Sequence, residues 1–168
     1  YVFTDNRIIP QQQFVMGGFR SIRGYPESMA AADNGWYIQS EYRLHIPRLF
    51  KPYSVFPKEE QPSPFRNRWN VHPPRPLVKP DWDFIVRAFS DYGQTENVKI
   101  ESFETDQELW SAGLGIEVQL GQSFTLRTDV GVVLNSADEF DSGSGDRRPI
   151  EGAQYQDTRA HFQFTYVW

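Results

Sequence analysis

The 168-residue sequence contains no cysteine, which excludes disulfide bonds and thiolate metal sites. It has no run approaching the roughly 18 apolar residues that a membrane-spanning helix needs, and no segment repeats its apolar residues at helical spacing. Its 17 Lys and Arg residues are outnumbered by 22 Asp and Glu residues, and no basic stripe is available to contact phosphates. We therefore expect neither a helical membrane anchor nor a nucleic-acid partner.

Patterns typical of enzymes and metal sites are also missing. The sequence has no G-x-S-x-G motif and no phosphate-binding P-loop. His45, His72 and His161 lie far apart and lack the spacing of metal ligands. The acidic segment from Asp138 to Asp146 lacks the register of an EF-hand loop, so we interpret it as a solvated loop rather than a calcium site. We expect no enzymatic activity, no metal and no cofactor.

Alternation of apolar and polar residues is the strongest pattern in the sequence. Its period of two predicts strands with one apolar and one polar face, and the polar faces carry Gly, Arg, Asp and Glu. An all-β, up-and-down sheet with strands of about ten residues is typical of a transmembrane β-barrel wall. A soluble β-sandwich, which buries its apolar faces between two sheets, is the alternative. The predicted strands are 36–46, 84–93, 109–120, 124–134 and 158–168, and residues 1–16 end a preceding strand.

The number of strands is too small for a complete barrel. Five or six strands would leave two edges with unpaired backbone groups facing lipid. The start, Tyr1-Val2-Phe3-Thr4, is neither an initiator methionine nor a signal peptide. We therefore expect the chain to be the C-terminal portion of a larger barrel within a longer polypeptide.

A proline-rich stretch interrupts the alternation. Nine of the twelve prolines lie between Pro47 and Pro80. Proline at this density excludes a regular ladder or helix and favours extended chain. We predict that residues 47–80 form a long insertion into a simpler framework.

The segment from Met16 to Glu27 combines two adjacent glycines, two arginines and a Gly-Tyr-Pro turn. Glycine allows positive φ or close backbone approach, and Pro26 fixes its own φ. These features predict a tightly folded loop, residues 17–35, that carries a basic side chain.

Several segments resemble the Omp85 superfamily of bacterial outer-membrane assembly and translocation proteins and their organellar relatives. Gln13 to Tyr25 resembles its GG…(V/I)RG(F/Y) signature, and Phe89 to Gly93 is similar to its F-x-D-x-G strand motif. Ser111 to Gly115 and Leu126 to Gly131 resemble the next two strands of these barrels. The resemblance implies the sixth extracellular loop and the last five of sixteen antiparallel strands, with residues 47–80 on the periplasmic side. The aromatic end of the chain is similar to the C-terminal signal read by the barrel-assembly machinery, here Phe164, Tyr166 and Trp168.

The resemblance also implies which residues matter. In the family, the sixth loop folds into the lumen, so Arg23 is expected to reach Asp91, which the alternation independently places on the polar face. A guanidinium offers a fork of donors suited to a carboxylate. We expect Phe89 to pack under Tyr25, and Glu41 to be a second partner for Arg23 or Arg20. The implied loop motif is Gly17, Gly18, Arg23, Gly24 and Tyr25, and its implied lumen partners are Asp91, Phe89, Gly93 and Glu41.

Two branches of the superfamily fit the sequence. The spacing from Ile22-Arg23-Gly24-Tyr25 through Asp33-Asn34-Gly35 to Ser40-Glu41 resembles the hemolysin-activator-like transporters of two-partner secretion. That branch implies export of an unfolded polypeptide through a pore in the bacterial outer membrane. The alternatives are a barrel-assembly insertase, a passive porin or a soluble β-sandwich binding module. The implied partners are membrane lipids and lipopolysaccharide, the client polypeptide, the barrel-assembly machinery, the rest of the barrel and N-terminal POTRA domains outside this chain.

Overall fold

A computed structural model describes residues 1–46, 82–98, 105–121, 123–140 and 147–168. The predicted proline-rich insertion, including His72, lies outside these residues and stays a prediction. Within them the chain forms a short 3-10 helix, η1, at Pro10–Gln12, and nine strands. The strands are β1 Phe14–Met16, β2 Ala30–Ala32, β3 Asn34–His45, β4 Trp82–Glu96, β5 Glu108–Leu120, β6 Phe124–Val133, β7 Asp138–Phe140, β8 Arg147–Pro149 and β9 Thr158–Tyr166.

The long strands form one five-stranded sheet in the order β3-β4-β5-β6-β9. Each strand therefore neighbours the next long strand along the chain, as expected for an up-and-down sheet. Two small antiparallel pairs accompany it, β1 with β2 and β7 with β8. The all-β class predicted from the sequence is confirmed, with antiparallel sheets. The sixteen-stranded barrel remains a prediction.

Burial along the strands is the reverse of that in a soluble sheet. In β4 the buried residues alternate with less buried ones and include Asp83, Arg87 and Asp91. The apolar residues on the other faces are exposed; Leu114 and Phe162, for example, are 65% and 75% accessible. The polar faces are thus covered while the apolar faces are open. Further exposed apolar side chains in the long strands are Ile38, Tyr42, Trp110, Ile116, Leu126, Val130, Phe164 and Tyr166.

Two compact units divide the chain. The first comprises Tyr1–Glu41, Ala88–Leu114 and Asp129–His161. Half of the eight buried residues in its hydrophobic core lie between strands, with Ile22 and Tyr25 from the loop that follows β1. Strand residues such as Leu109 contribute from the same side as the buried polar groups. The remaining buried members are Met16, Ala30, Val133, Ala137 and Ala153. The loop supplies much of the core that the strands of this unit pack against.

The second unit comprises Tyr42–Arg87, Gly115–Thr128 and Phe162–Trp168. Its described residues include two polar contacts: His45 Nδ1 lies 2.6 Å from Asp83 Oδ2, and Arg87 Nε lies 3.8 Å from Glu117 Oε2. At the chain end, Phe164 packs edge-on against Phe124, with ring centroids 5.1 Å apart. Polar contacts and an aromatic contact therefore join neighbouring strands within the unit.

Local structure differs from the sequence expectations at two places. The Ala30–Ala32 segment, which the sequence analysis included in the loop of residues 17–35, is strand β2, because its alanines pair with Phe14, Val15 and Met16 of β1. The acidic segment after residue 135 contains the paired strands β7 and β8 rather than a simple solvated loop. Ala137 and Ala153 anchor this hairpin because both enter the core of the first unit. Residues 141–146 lie outside the described part.

Candidate functional site

The loop between β1 and β2 is shaped by glycines with positive φ. Gly17 and Gly18 have φ angles of 107° and 96°, which a residue with a side chain adopts only with strain. The Gly17 N–H donates to Ser21 Oγ at 2.8 Å, and the Gly18 N–H donates to the Ile22 carbonyl at 3.1 Å. The paired glycines thus reverse the chain and direct the following residues towards the sheet.

Glu27 closes the outer side of the same loop. Its Oε1 accepts a hydrogen bond from the Phe19 N–H at 2.9 Å. The carboxylate also fills the space in which a side chain at Gly18 would lie. Gly18 is therefore required by its φ, and a side chain there would also displace the end of the Glu27 side chain.

Arg23 makes a two-pronged contact with Asp91 of β4. Its Nε donates to Asp91 Oδ2 at 2.7 Å, and its Nη2 donates to Oδ1 at 2.8 Å. The Arg23 backbone N–H donates to Oδ2 as well, at 3.1 Å. Arg23 is 1% exposed and Asp91 is 0% exposed. Both side chain and backbone of the loop are thereby fixed to one carboxylate.

Three further groups surround the Arg23 guanidinium. Nη1 donates to Glu41 Oε2 of β3 at 2.8 Å and lies 3.5 Å from Asp129 Oδ2 of β6. The guanidinium carbon lies 3.6 Å from the centroid of the Phe89 ring, a cation–π distance. Phe89 therefore packs against Arg23, although the sequence suggested that it packs under Tyr25. A single arginine connects the loop to β3, β4 and β6.

These contacts fix the charge state of Arg23. Burial by itself lowers the pKa of its guanidinium, but hydrogen bonds to Asp91 and Glu41 and the charges of Asp91 and Asp129 raise that pKa above its ordinary value. Arginine is already cationic at any physiological pH. The loop is therefore held by a permanent buried cation that three carboxylates, those of Asp91, Glu41 and Asp129, compensate.

Tyr25 attaches the loop to a second place. Its hydroxyl accepts a hydrogen bond from the Trp110 N–H at 3.0 Å and lies within donating distance of the Trp110 and Asn135 carbonyls. Burial raises the pKa of this hydroxyl, while the backbone hydrogen bonds to Trp110 and Asn135 act in the opposite direction. The group stays a neutral phenol that both donates and accepts. Tyr25 joins the end of β6 to the start of β5.

Glycines in the neighbouring strands provide the surface on which the loop tip rests. A methyl group added to Gly131 of β6 would lie 2.7 Å from the Gly24 nitrogen and 2.9 Å from its Cα. Gly24 has a φ of 98°, and a Cβ built on it would lie 3.2 Å from the Gly131 carbonyl carbon. The two backbones are in direct contact. Neither position has room for a side chain.

Asp33 fastens three segments around the end of the loop. Its Oδ1 accepts from the Ile8 N–H at 2.8 Å and lies 3.5 Å from Gln13 Nε2, and its Oδ2 accepts from the Val98 N–H at 3.2 Å. The backbone hydrogen bond from Ile8, opposed by burial and assisted by the Val98 and Gln13 hydrogen bonds, lowers the pKa of Asp33. This buried carboxylate ties the N-terminal segment and the end of β4 to the loop.

The structure brings most of the predicted site residues together, but it does not join all of them. Arg23, Asp91, Phe89 and Glu41 form one cluster. Gly93 lies in the same strand, where an added Cβ would be 2.8 Å from Tyr37 Cβ and 3.0 Å from the Met16 sulfur. Arg20 is exposed. The three terminal aromatic residues, Phe164, Tyr166 and Trp168, are also exposed and belong to the second unit.

Four residues near the loop were not among the predicted site residues: Glu27, Asp33, Asp129 and His161. Asp129 alternates onto the polar face of its strand, so the pattern that selected Asp91 also carried a signal for it. Asp33 lies inside the spacing that resembles the transporter branch. The contact of His161 is different, because Gly24 N–H donates to its Nε2 at 3.4 Å. The order of side chains in the sequence does not indicate which backbone N–H group will donate to a given histidine.

Two structural searches concern other kinds of site. No group of three or more His, Cys, Asp or Glu residues suited to a metal ion occurs in the described ranges. None of the helical segments seen in that part of the chain is long and apolar enough to cross a membrane.

Comparison with known proteins gives one match. The family model described as haemolysin secretion/activation protein ShlB/FhaC/HecB matches residues 2–57, which include the whole loop, Arg23, Tyr25, Asp33 and Glu41. The matched residues make up about a third of the 168-residue chain. No curated protein and no solved structure matches the chain.

Proposed function

We propose that this chain forms part of a bacterial outer-membrane pore that exports an unfolded polypeptide, with the loop of residues 17–35 packed inside the pore. The observation that carries the proposal is the buried Arg23, which joins the loop to Asp91, Glu41 and Asp129. The family match supports the same branch, since it spans the loop. The remaining strands of a sixteen-stranded barrel and its POTRA domains belong to this proposal.

The burial pattern supports a wall between lipid and water. Exposed apolar faces such as those of Leu114 and Phe162 suit the hydrocarbon of a bilayer. Covered polar faces carrying Asp91 and Asp129 suit a water-containing lumen that a loop partly fills. A soluble β-sandwich would require the opposite arrangement, with its apolar faces packed together. The reversed pattern therefore favours the pore over the soluble binding module.

The proposed role of the loop is to control passage through the pore. Arg23 is desolvated, so breaking its contacts without replacement strands a buried charge, a change that costs about 3–5 kcal/mol. Such a loop stays in place at rest. The client polypeptide must either pass beside it or supply interactions that replace those of Arg23.

Secretion by variants of the full-length protein tests this role. Arg23→Ala and Asp91→Ala each remove one side of the ion pair, and we expect at least a ten-fold loss of client export at unchanged barrel assembly. The matched control is Arg20→Ala, which removes an exposed arginine from the same loop. Export is measured as client in the medium, and assembly as the heat-modifiable barrel in outer membranes. Wild-type export by both assembled variants would contradict the proposal that the loop controls passage through the pore.

Biogenesis provides a separate test of the membrane assignment. Phe164, Tyr166 and Trp168 are exposed at the chain end, and we propose that the barrel-assembly machinery reads them before lipid and lipopolysaccharide surround the barrel. Trp168→Ala should lower the assembled fraction in outer membranes several-fold, whereas Tyr155→Ala, an exposed aromatic residue elsewhere, should not. Equal assembly of the Trp168→Ala and Tyr155→Ala variants would contradict a role of the C-terminal aromatic residues as an assembly signal.

A further inference from the structure

One contact connects the tip of the loop to β9, the last strand of the sheet. The Gly24 N–H donates to Nε2 of His161 at 3.4 Å. A backbone amide can only donate, so Nε2 must present its lone pair. This hydrogen bond therefore requires the neutral imidazole with its proton on Nδ1. Protonation of Nε2 would remove it.

The surroundings of the ring contain charges of both signs. The loop contributes Arg23 and Glu27, β9 contributes Arg159, and β6 contributes Asp129. The Phe19 ring of the loop lies with its centroid 5.7 Å from that of His161. Two cations and two anions thus face the imidazole, and neither sign dominates. A protonated ring would therefore find no nearby negative charge that is not balanced by a positive one.

We propose that His161 is a positioning residue that holds the tip of the loop when its ring is neutral and releases it when the ring is protonated. A proton on Nε2 occupies the lone pair that accepts the Gly24 N–H. Two N–H groups then face each other, and a new positive charge lies near Arg23. Histidine ordinarily titrates at about pH 6.5, so mild acidification is the relevant range. The consequence for export rests on the proposed function, whereas the hydrogen bond itself does not.

Release of the tip need not release the whole loop. Arg23 stays bound to Asp91 at any of these pH values, because its guanidinium remains charged. The contact between the Gly24 and Gly131 backbones is then maintained by packing alone. Losing one neutral hydrogen bond changes the local equilibrium by about five-fold. We therefore expect a modest pH-dependent loosening of the residues around Gly24 within an otherwise fixed loop.

The mobility of a spin label on the loop tests this inference. A nitroxide is attached at Arg20→Cys, an exposed position, in the full-length protein reconstituted in phospholipid vesicles. Its electron paramagnetic resonance spectrum is recorded between pH 8 and pH 5. With His161 present, the mobile fraction should rise by about five-fold on acidification. With His161→Gln, which keeps an acceptor but cannot titrate, the label should stay immobile throughout. With His161→Ala it should be mobile at every pH.

A matched control addresses titration elsewhere in the protein. His45→Gln removes a histidine that lies beside Asp83 in the second unit, and the wild-type pH response should persist. A pH response in His161→Gln equal to that of the wild type would overturn the inference, as would an immobile label in His161→Ala at pH 8. If His161→Ala fails to assemble, the comparison of His161→Gln with wild type decides alone.

The spin-label readout requires no client. Unchanged export by Arg23→Ala would count against the proposed function and leave the His161 contact intact. Loss of export by Arg23→Ala, together with a pH response in His161→Gln, would count against the His161 contact alone. The two failures are therefore distinguishable.

Discussion

Arg23 and Asp91, 68 residues apart in the sequence, are joined by two side-chain hydrogen bonds of 2.7 and 2.8 Å. The Arg23 backbone adds a third donor to the same carboxylate, at 3.1 Å. Both carboxylate oxygens are therefore occupied by one residue of the loop. Because neither group is accessible to water, Asp91 depends on Arg23 for compensation of its charge, whereas Arg23 also has Glu41 and Asp129 beside it.

A double-mutant cycle measures this dependence. Arg23→Ala should lower the free energy of unfolding by about 3–5 kcal/mol, since it leaves the buried Asp91 carboxylate without its ion-pair partner. Asp91→Ala should cost less, because Glu41 and Asp129 still compensate Arg23. The double variant should be destabilised by clearly less than the sum. Arg23→Lys keeps the charge but loses the fork of donors, and should fall between wild type and Arg23→Ala. Denaturant unfolding of the full-length barrel in detergent provides the measurement. Additive effects would show that the two groups act independently.

Substitution of Gly131 tests the contact between the loop and the strand backbone. Gly131→Ala places a methyl group 2.7 Å from the Gly24 nitrogen, and overpacking of this kind costs about 1–3 kcal/mol. We expect the loop to be displaced, seen as faster tryptic cleavage after Arg20. Gly121→Asn is the control, because a Cβ added there meets nothing within 4 Å and Asn tolerates the positive φ at this position. Unchanged tryptic cleavage in Gly131→Ala would contradict the close contact between Gly24 and Gly131.

Removal of the Tyr25 hydroxyl tests the second attachment. Tyr25→Phe keeps the ring but leaves the Trp110 N–H without the acceptor that the Tyr25 hydroxyl provides. The Trp110 carbonyl keeps a hydrogen bond from the Leu134 N–H at 2.8 Å, so the amide carries most of the loss, about 1–3 kcal/mol. Amide exchange at Trp110 should accelerate accordingly. Tyr155→Phe, at a 61% exposed tyrosine, should leave that exchange rate unchanged; equal acceleration in both variants would contradict the assignment.

Acidification tests Asp33. Its pKa in the folded protein lies below the ordinary value of 3.8, so its stabilising contribution is complete above about pH 4 and is lost as the pH falls through the folded pKa. Amide exchange at Ile8 and Val98, corrected for intrinsic rates, should therefore accelerate below pH 4.

Asp33→Asn separates this carboxylate from the others that titrate in acid. Ile8 and Val98 donate to different oxygens of Asp33, and an asparagine side chain keeps only one of these two acceptors. The free energy that protects these amides from exchange should therefore fall by about 1–3 kcal/mol at neutral pH, and their exchange should depend less on pH below 4. Asp5→Asn, at an exposed aspartate, should behave as wild type. Wild-type exchange in Asp33→Asn at both pH values would exclude this role.

The sequence carried the fold class and the polar face of the site, because both follow from alternation. Asp91 and Phe89 share one face of a strand whichever neighbours it has. Which loop group rests on Phe89 depends on the path of the chain after Gly18, and no local pattern specifies that path. The structure accordingly has Arg23 over the ring rather than Tyr25.

The hairpin of β7 and β8 was missed for a related reason. Its segment is acidic and rich in turn residues, which favours a loop on composition alone. Ala137 and Ala153 nevertheless hold it against the core of the first unit. Because alanine adds little to the hydrophobic pattern of a sequence, the core positions of Ala137 and Ala153 are identified from their packing in the structure rather than from their spacing in the sequence.

The core of the first unit includes Met16, Ile22, Tyr25 and Ala30, which belong to or flank the loop proposed to control the pore. Exposing a buried side chain the size of Ile22 costs about 1.5–3 kcal/mol, in addition to the cost of separating Arg23 from its carboxylates. The side chains that stabilise the unit are therefore the same ones that hold the loop in place. Complete withdrawal of the loop amounts to partial unfolding of the unit, so, on the proposed function, we expect a client polypeptide to pass a loop whose base stays in the core.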